Sequence, residues 1–224
     1  EDPGNKKFNT KMSPKVMGAN DSLSRLHAKK FYSKIVSEVI ELNSYSAAEM
    51  TKLVENIYRS INIGLANELK IIADKLKLDI FEIIDAAGSK PFGFTPFYPG
   101  PGLGGHCIPI DPFYLSWKSK EVGHNARFIE LSGEINNDMP FWVINKVLKV
   151  LNLFKKSVSS SKILLLGAAY KKNIDDYRES PAIKIIDELI KLKASVNYFD
   201  PYIDEIDISL DNKSKIIKSI KNIN

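Results

Sequence analysis

From Ser46 to Leu76 the chain carries apolar residues at three- and four-residue steps with no proline among them: Met50, Leu53, Val54, Ile57, Ile61, Leu65, Leu69, Ile72 and Leu76. That spacing lays one apolar stripe along a helix, and at 3.6 residues per turn it predicts about eight turns. Ser46-Ala47-Ala48-Glu49 has the pattern of a capping box, in which the serine and glutamate side chains satisfy first-turn amides. Asp79-Ile80-Phe81-Glu82 repeats the pattern, and Gly88 stands where a left-handed C-terminal residue belongs. A long helix and a short one therefore meet in a corner. The long apolar stripe exceeds what one small domain buries, which points to a homodimer through this helix.

Residues 89–110 (SKPFGFTPFYPGPGLGGHCIPI) hold proline and glycine at a density that neither a helix nor a central strand accepts. A loop of this length inside a compact domain is either functional or disordered, and Phe92, Phe94, Phe97 and Tyr98 argue for order. Gly100-Pro101-Gly102-Leu103-Gly104-Gly105 spells G-x-G-x-x-G. The dinucleotide fingerprint needs a strand before it and a helix start after it, and Thr95-Pro96-Phe97-Tyr98-Pro99 cannot be a central strand. The glycines still let backbone amides approach an anion or a sugar, although a rigid surface turn gives the same letters.

Cys107 follows this loop and is the only cysteine, which excludes an intrachain disulfide and fits a reducing cytoplasm. A lone cysteine is more often a small buried hydrophobe. Its place in the segment least explained by packing, just before a helix start whose free amides favour a thiolate, raises it to a candidate nucleophile. Asp111 lies four residues on; His106 is adjacent and badly placed as a base, leaving His27 and His124 for a cysteine hydrolase. On the long helix Lys52, Asn56 and Arg59 form a polar row opposite the apolar stripe. A solvated face explains that row as well as donors to a developing oxyanion do.

Elsewhere the pattern is α/β. Residues 1–20 read as irregular, 21–34 as helix and 37–42 as a short strand, together the tail of an α/β unit. Helical periodicity returns from Asp111 to Phe154, broken at Pro140, and Lys155–Ser161 is a linker by composition. Lys162–Leu166 reads as a buried strand, Pro181–Leu192 as an amphipathic helix and Ser195–Phe199 as a second strand, a parallel βαβ unit. Tyr170-Lys171-Lys172 beyond Gly167 suits a phosphate at a parallel strand end; one glycine there fits a mononucleotide better than a dinucleotide. Lys213, Lys215, Lys218 and Lys221 with Ile216, Ile217 and Ile220 read as an amphipathic helix, and this last domain looks truncated.

The net charge of +5 is spread through the chain without interleaved aromatics, so no nucleic-acid site is expected. The longest apolar run is too short to cross a bilayer, no leader or metal-ligand cluster is evident, and a start at Glu1 suits a piece of a longer chain.

Three stretches carry a family resemblance: AEMTKLVENIYRSINIGLANELK (48–70), PFGFTPFYPGPGLGGHCIPIDPFYL (91–115) and GAAYKKNIDDYRESPA (167–182). Together they resemble the UDP-glucose/GDP-mannose dehydrogenase family, and with EDPGN (1–5) they look most like its bacterial and archaeal UDP-N-acetylglucosamine branch. The resemblance implies an α/β fold: residues 1–45 as the end of an N-terminal NAD-binding Rossmann domain, a central all-helical dimerisation domain at 46–156, and a partial Rossmann-like UDP-binding domain at 157–224. It implies a four-electron oxidation of a sugar CH2OH to a carboxylate with NAD, Cys107 acting as nucleophile and Lys52, Asn56 and Asp111 stabilising charge and moving protons. It assigns Tyr98, Pro99, Gly100, Pro101, Gly102, Leu103 and Gly104 to the sugar and pyrophosphate, Tyr170 and Lys171 to substrate, and Arg178 and Cys107 to NAD. The substrate expected is a UDP-N-acetylhexosamine, with UDP-glucose or GDP-mannose as the near alternative and a non-catalytic nucleotide-sugar-binding dimer as the distant one. With the dinucleotide loop outside this sequence, the chain alone is expected to be inactive.

Overall fold

The computed structural model describes residues 8–210 and 213–220, and the chain divides into two units, Glu1–Tyr58 and Arg59–Asn224. In the first, β1 (Lys15–Gly18) and β2 (Val39–Leu42) pair in parallel through α1 (Ser22–Tyr32). Asp21 caps α1 by accepting the Ser24 amide at 2.7 Å, and that bond holds its carboxyl below the usual carboxylate range. The stretch expected to be irregular thus contains a strand; four residues show no alternation, and β1 exists because β2 pairs with it. Residues 1–7 lie outside the described residues.

Helix α2 (Tyr45–Leu76) starts earlier than the sequence suggests. The Ser44 hydroxyl accepts the Ala47 amide at 3.1 Å and the Ser44 carbonyl accepts that of Ala48. The cap is therefore Ser44 and not Ser46, because the helix begins two residues earlier than the capping-box pattern marks. Beyond the left-handed Lys77 (φ 60°), α3 (Ile80–Gly88) starts as expected from Asp79, whose carboxylate accepts the Phe81 amide at 2.9 Å. Gly88 is not the expected left-handed residue: it is the last of the helix, and Ser89 follows it in right-handed conformation at φ −67°.

Pro140 does not break the next segment. Helix α4 (Asp111–Glu121) ends before the left-handed Gly123, and α5 (Arg127–Leu153) runs through Pro140, which is buried. A proline interior to a helix forfeits the bond to the carbonyl four residues back, here that of Asn136, and burial against other elements offsets the loss. Helices α2 and α5 meet where both carry small residues; a Cβ on Gly64 would lie 3.3 Å from that of Ser132. The Lys146 ammonium on α5 bonds the Asp74 carboxylate on α2 at 2.7 Å.

The C-terminal part is the expected βαβ unit. Strands β3 (Lys162–Leu166) and β4 (Ser195–Phe199) pair in parallel, Lys162 opposite Ser195 through Leu166 opposite Phe199, joined by α6 (Pro181–Lys191). Ile185 and Leu189 of α6 pack with Ile144 of α5, and Ile163, Leu165 and Val196 join them. The β3 run is buried on one face only: among the described residues Leu164 and Leu166 remain 41% and 68% exposed.

Where a C-terminal amphipathic helix was expected, the chain forms the antiparallel pair β5 (Glu205–Leu210) and β6 (Lys213–Lys218). Isoleucine is β-branched and fits a pleated surface. Pairing with Ile206 sets Ile217 against the core of Ile186, Tyr198, Ile206 and Ile208. Burial pushes the Tyr198 hydroxyl up to about 12. Lys221 lies outside the described residues.

The cap assignment separates two serines. Ser44→Ala is expected to cost about 1 kcal/mol in equilibrium denaturation and Ser46→Ala almost nothing; equal losses would restore the cap to Ser46.

Candidate functional site

The proline- and glycine-rich stretch has no ladder of its own, so its buried backbone must find partners elsewhere. At its start the Tyr98 hydroxyl donates to Asp85 at 2.5 Å, which lifts it above the usual phenol range, and its ring stacks on Phe81 at 6.3 Å between centroids. The Gly100 amide donates to Asn67 Oδ1 at 2.9 Å. Asn67 Nδ2 in turn donates to Asn136 Oδ1 at 2.8 Å, and Asn136 Nδ2 to the Ser60 carbonyl at 3.0 Å.

The far end of the stretch meets the segment between β3 and α6. A Cβ on Gly104 would stand 2.5 Å from that of Tyr170 and 3.0 Å from the Glu179 carbonyl oxygen. One on Gly105, whose φ is +83°, would stand 2.8 Å from the Tyr170 ring. The Gly105 amide donates to the Arg178 carbonyl at 3.3 Å, and the Tyr170 amide to that of Asp176 at 3.1 Å. Asp176 also accepts from the Arg178 amide at 2.9 Å and from Nε and Nη2 of its guanidinium. The guanidinium holds the Asp176 carboxyl below its ordinary range, and Glu179 completes the turn in left-handed conformation at φ 51°.

Cys107 emerges from this clamp and is exposed. Its carbonyl accepts the Ile110 amide at 3.2 Å and the Asp111 amide at 2.8 Å. Pro112 has no amide and that of Phe113 goes to the Ile110 carbonyl, so the free helix amides expected beside the sulfur are engaged with backbone. Ile110 and, from α4, Phe113, Tyr114 and Trp117 line an open apolar hollow of about 490 Å³.

The sequence-derived residues divide between the units. The glycine-rich stretch from Tyr98 through Pro99, Gly100, Pro101, Gly102, Leu103 and Gly104 lies in the second with Cys107, Asp111, Tyr170, Lys171 and Arg178. Of these, Tyr170 and Arg178 touch the glycines directly; Asp111 and Lys171 are half-buried. Lys52 and Asn56 belong to the first unit. Lys52 is exposed, 3.6 Å from Glu55, whereas Asn56 is 1% exposed. Of the polar row on α2, Lys52 and Arg59 face solvent and Asn56 does not. Asn56, Ser60 and Asn67 are all buried, and the steps of four and seven residues between them keep them on one side of the helix.

Sequence reasoning missed Asn67, Asn136 and Asp200. The Asp200 carboxylate accepts the Ala168 and Ala169 amides at 2.8 and 3.1 Å, and the Tyr202 amide at 2.8 Å. The first two amides after β3 are thus taken by a side chain from the end of β4. Burial raises the Asp200 carboxyl, and backbone amides led by Tyr202 and Ala168 outweigh it, leaving the group below its ordinary value. Among the described residues no three His, Cys, Asp or Glu gather as metal ligands, and no helix is long and apolar enough to cross a membrane.

Comparison with known proteins bears on this geometry. Residues 46–138 match the central domain of the UDP-glucose/GDP-mannose dehydrogenase family, and residues 164–223 match its UDP binding domain. A UDP-N-acetyl-D-mannosamine dehydrogenase of Methanocaldococcus jannaschii is 40% identical over 84% of this chain and 42% of its own length. A UDP-N-acetyl-D-glucosamine 6-dehydrogenase of Salmonella typhi is 34% identical over 90% of this chain and 47% of its own. The solved structure of a UDP-D-ManNAc dehydrogenase from Pyrococcus horikoshii superposes with a TM-score of 0.79 at 32% identity, covering 86% of this chain and 45% of that one. The chain spans a little under half the length of these relatives.

A carboxyl depressed by folding contributes stability above its unfolded value, 3.8 for Asp200, and loses it as pH falls through the lower folded value. Wild-type stability is expected to decline on acidification below about pH 4. In Asp200→Asn, already weakened at neutral pH, the decline is expected to be shallower; denaturation curves with equal acid slopes would remove Asp200 from the account.

Proposed function

The chain belongs to the UDP-glucose/GDP-mannose dehydrogenase family, and from that premise we propose that it carries the nucleophile and sugar-binding part of an NAD-dependent UDP-N-acetylhexosamine 6-dehydrogenase. The observation that carries this reading is the clamp on the glycine-rich stretch. One end is bonded to helix α2 through Asn67, the other is packed on Tyr170 and Arg178, and the exposed Cys107 follows directly. The names of the similar proteins support the acetylated sugar.

Within the same proposal residues 1–45, which include the parallel pair β1 and β2, form the end of the NAD-binding domain, 46–156 the helical centre and 157–224 the UDP-binding domain. The described residues fit NAD at one point, Arg178, whose side chain is 74% exposed and which would hold the cofactor through its cationic guanidinium. The Gly100–Gly105 stretch lacks the strand-turn-helix context of a dinucleotide loop and is left to the sugar. When bound, NAD accepts the hydride in each of the two oxidations.

The chain's own residues supply the rest of the chemistry. The Cys107 thiolate adds to the aldehyde carbon, forming a C–S bond while the carbonyl π pair becomes an alkoxide. Loss of hydride from that thiohemiacetal leaves a thioester. Water then adds to the acyl carbon, the C–S bond breaks and thiolate and carboxylate result. Covalent capture keeps the aldehyde in place between the two oxidations. Lys52 acts as donor to the alkoxide and the tetrahedral oxyanion, and Asn56 and Asp111 position the attacking water and take up its proton. Tyr98 to Gly104 wrap the sugar and pyrophosphate, with Tyr170 and Lys171 beside them.

Cys107 is the sole cysteine, so alkylation reports on it alone. UDP-N-acetylglucosamine or UDP-N-acetylmannosamine is expected to slow iodoacetamide labelling severalfold, followed by mass spectrometry, and Tyr170→Ala to abolish the effect. Labelling indifferent to both nucleotide sugars would sink this reading.

The homodimer belongs to the same proposal. On the second-unit part of α2, Leu65, Leu69, Ile72 and Leu76 are 39–62% exposed, an apolar row on the face away from the buried asparagine. Sedimentation of the chain at micromolar concentration is expected to give a dimer, and Leu69→Glu/Ile72→Glu a monomer; a monomeric wild type would count against it.

A further inference from the structure

We propose that Asn67 and Asn136 are positioning residues: their side-chain amides form a directional buried line that sets where the glycine-rich stretch lies on α2 and α5, and hence how a sugar meets Cys107. The inference rests on the UDP-sugar reading above. At its inner end the line meets the Ser60 carbonyl, which can only accept. Asn136 must therefore donate with Nδ2 and turn Oδ1 outward, so Asn67 must donate to it and present its own Oδ1 to the stretch. That oxygen accepts the Gly100 amide. The direction is fixed by helix backbone, and the two asparagines, 0% and 3% exposed, cannot flip without setting like groups face to face out of reach of water.

Asn136 touches the stretch a second time through its main chain. Pro140 supplies no amide to the Asn136 carbonyl, and Gly102 lies against that oxygen: a Cβ there would be 3.1 Å from it and 3.1 Å from the Pro181 Cβ, at a φ of +134°. The proline inside α5 and the glycine in the loop are thus one device. It withholds the amide that would ordinarily bond a helix carbonyl and admits a backbone without a side chain beside it. Helix packing alone would be served by apolar residues at these positions; a line ending on one loop amide specifies a place for that loop. In a covalent mechanism a displacement of about 1 Å costs on the order of a hundredfold in rate.

Amide hydrogen exchange on the 224-residue chain tests the line without any turnover. Asn67→Leu is expected to lower protection of the Gly100 amide about tenfold, the scale of one net hydrogen bond, while amides in the middle of α2 and α5 keep theirs. Asn67→Asp retains an acceptor for Gly100 and sets a carboxylate against Asn136 Oδ1. It is expected to melt at a lower temperature yet keep Gly100 protected. Gly100→Pro deletes the donor without altering either helix and serves if the Asn67 variants fail to fold; faster exchange at the Gly105 amide is expected. The proposal is overturned if Asn67→Leu leaves Gly100 protected or loosens loop and helices alike, if Asn67→Asp behaves as Asn67→Leu, or if Gly100→Pro leaves Gly105 unchanged. Nucleotide-sugar protection of Cys107 is expected to survive Asn67→Asp and to drop severalfold in Asn67→Leu. A wild type that shows no such protection defeats the functional reading, and the exchange pattern still decides the line.

Discussion

Backbone that forms neither helix nor sheet has to be satisfied by whatever surrounds it, and the stretch from Gly100 to Gly105 is the part of this protein where that requirement is hardest to meet. Its partners come from α2 and α5 on one side and from the turn before α6 on the other. Each contact needs glycine, a side-chain amide or a carbonyl at one position. Gly104 and Gly105 admit Tyr170, Gly100 finds Asn67, and Gly105 finds the Arg178 carbonyl. Cys107 inherits its place from these bonds.

The long helix serves the loop in an unusual way. The face it buries through Ser60, Gly64 and Asn67 is small and polar, and much of its apolar stripe lies exposed along Leu65, Leu69, Ile72 and Leu76. Small residues allow α5 to come close enough for the amide line to form, which a row of leucines would prevent by bulk. Polar order inside and apolar surface outside follow from the same helix having both a loop to hold and a face left over.

Carboxylates organise the C-terminal part in a similar way. Asp200 gathers the first amides after β3 and that of Tyr202, so the turn leading to Tyr170 starts from a fixed point. Asp176 gathers the amide and guanidinium of Arg178. Each satisfies backbone that β3 and α6 leave open. Together they present Tyr170 and Arg178 to the glycines as one surface.

The local elements were legible because their signals are local. The apolar periodicity of α2, the carboxylate cap at Asp79, the βαβ pattern around α6 and the proline-glycine density before Cys107 all lie within one window of sequence. The family was legible too, in the motifs from Pro91 to Leu115 and Gly167 to Ala182. Tertiary structure decided what depends on partners far along the chain. Lys213–Lys218 became a strand because β5 was there to pair with it and set Ile217 half-buried against the core. Pro140 stayed inside α5 because burial offset one lost bond, and Ser44 displaced Ser46 as cap because the helix starts two residues earlier. Asn67 and Asn136 stand 69 residues apart; no pattern of spacing joins them, and only the crossing of α2 and α5 turns two ordinary asparagines into a seat for the loop.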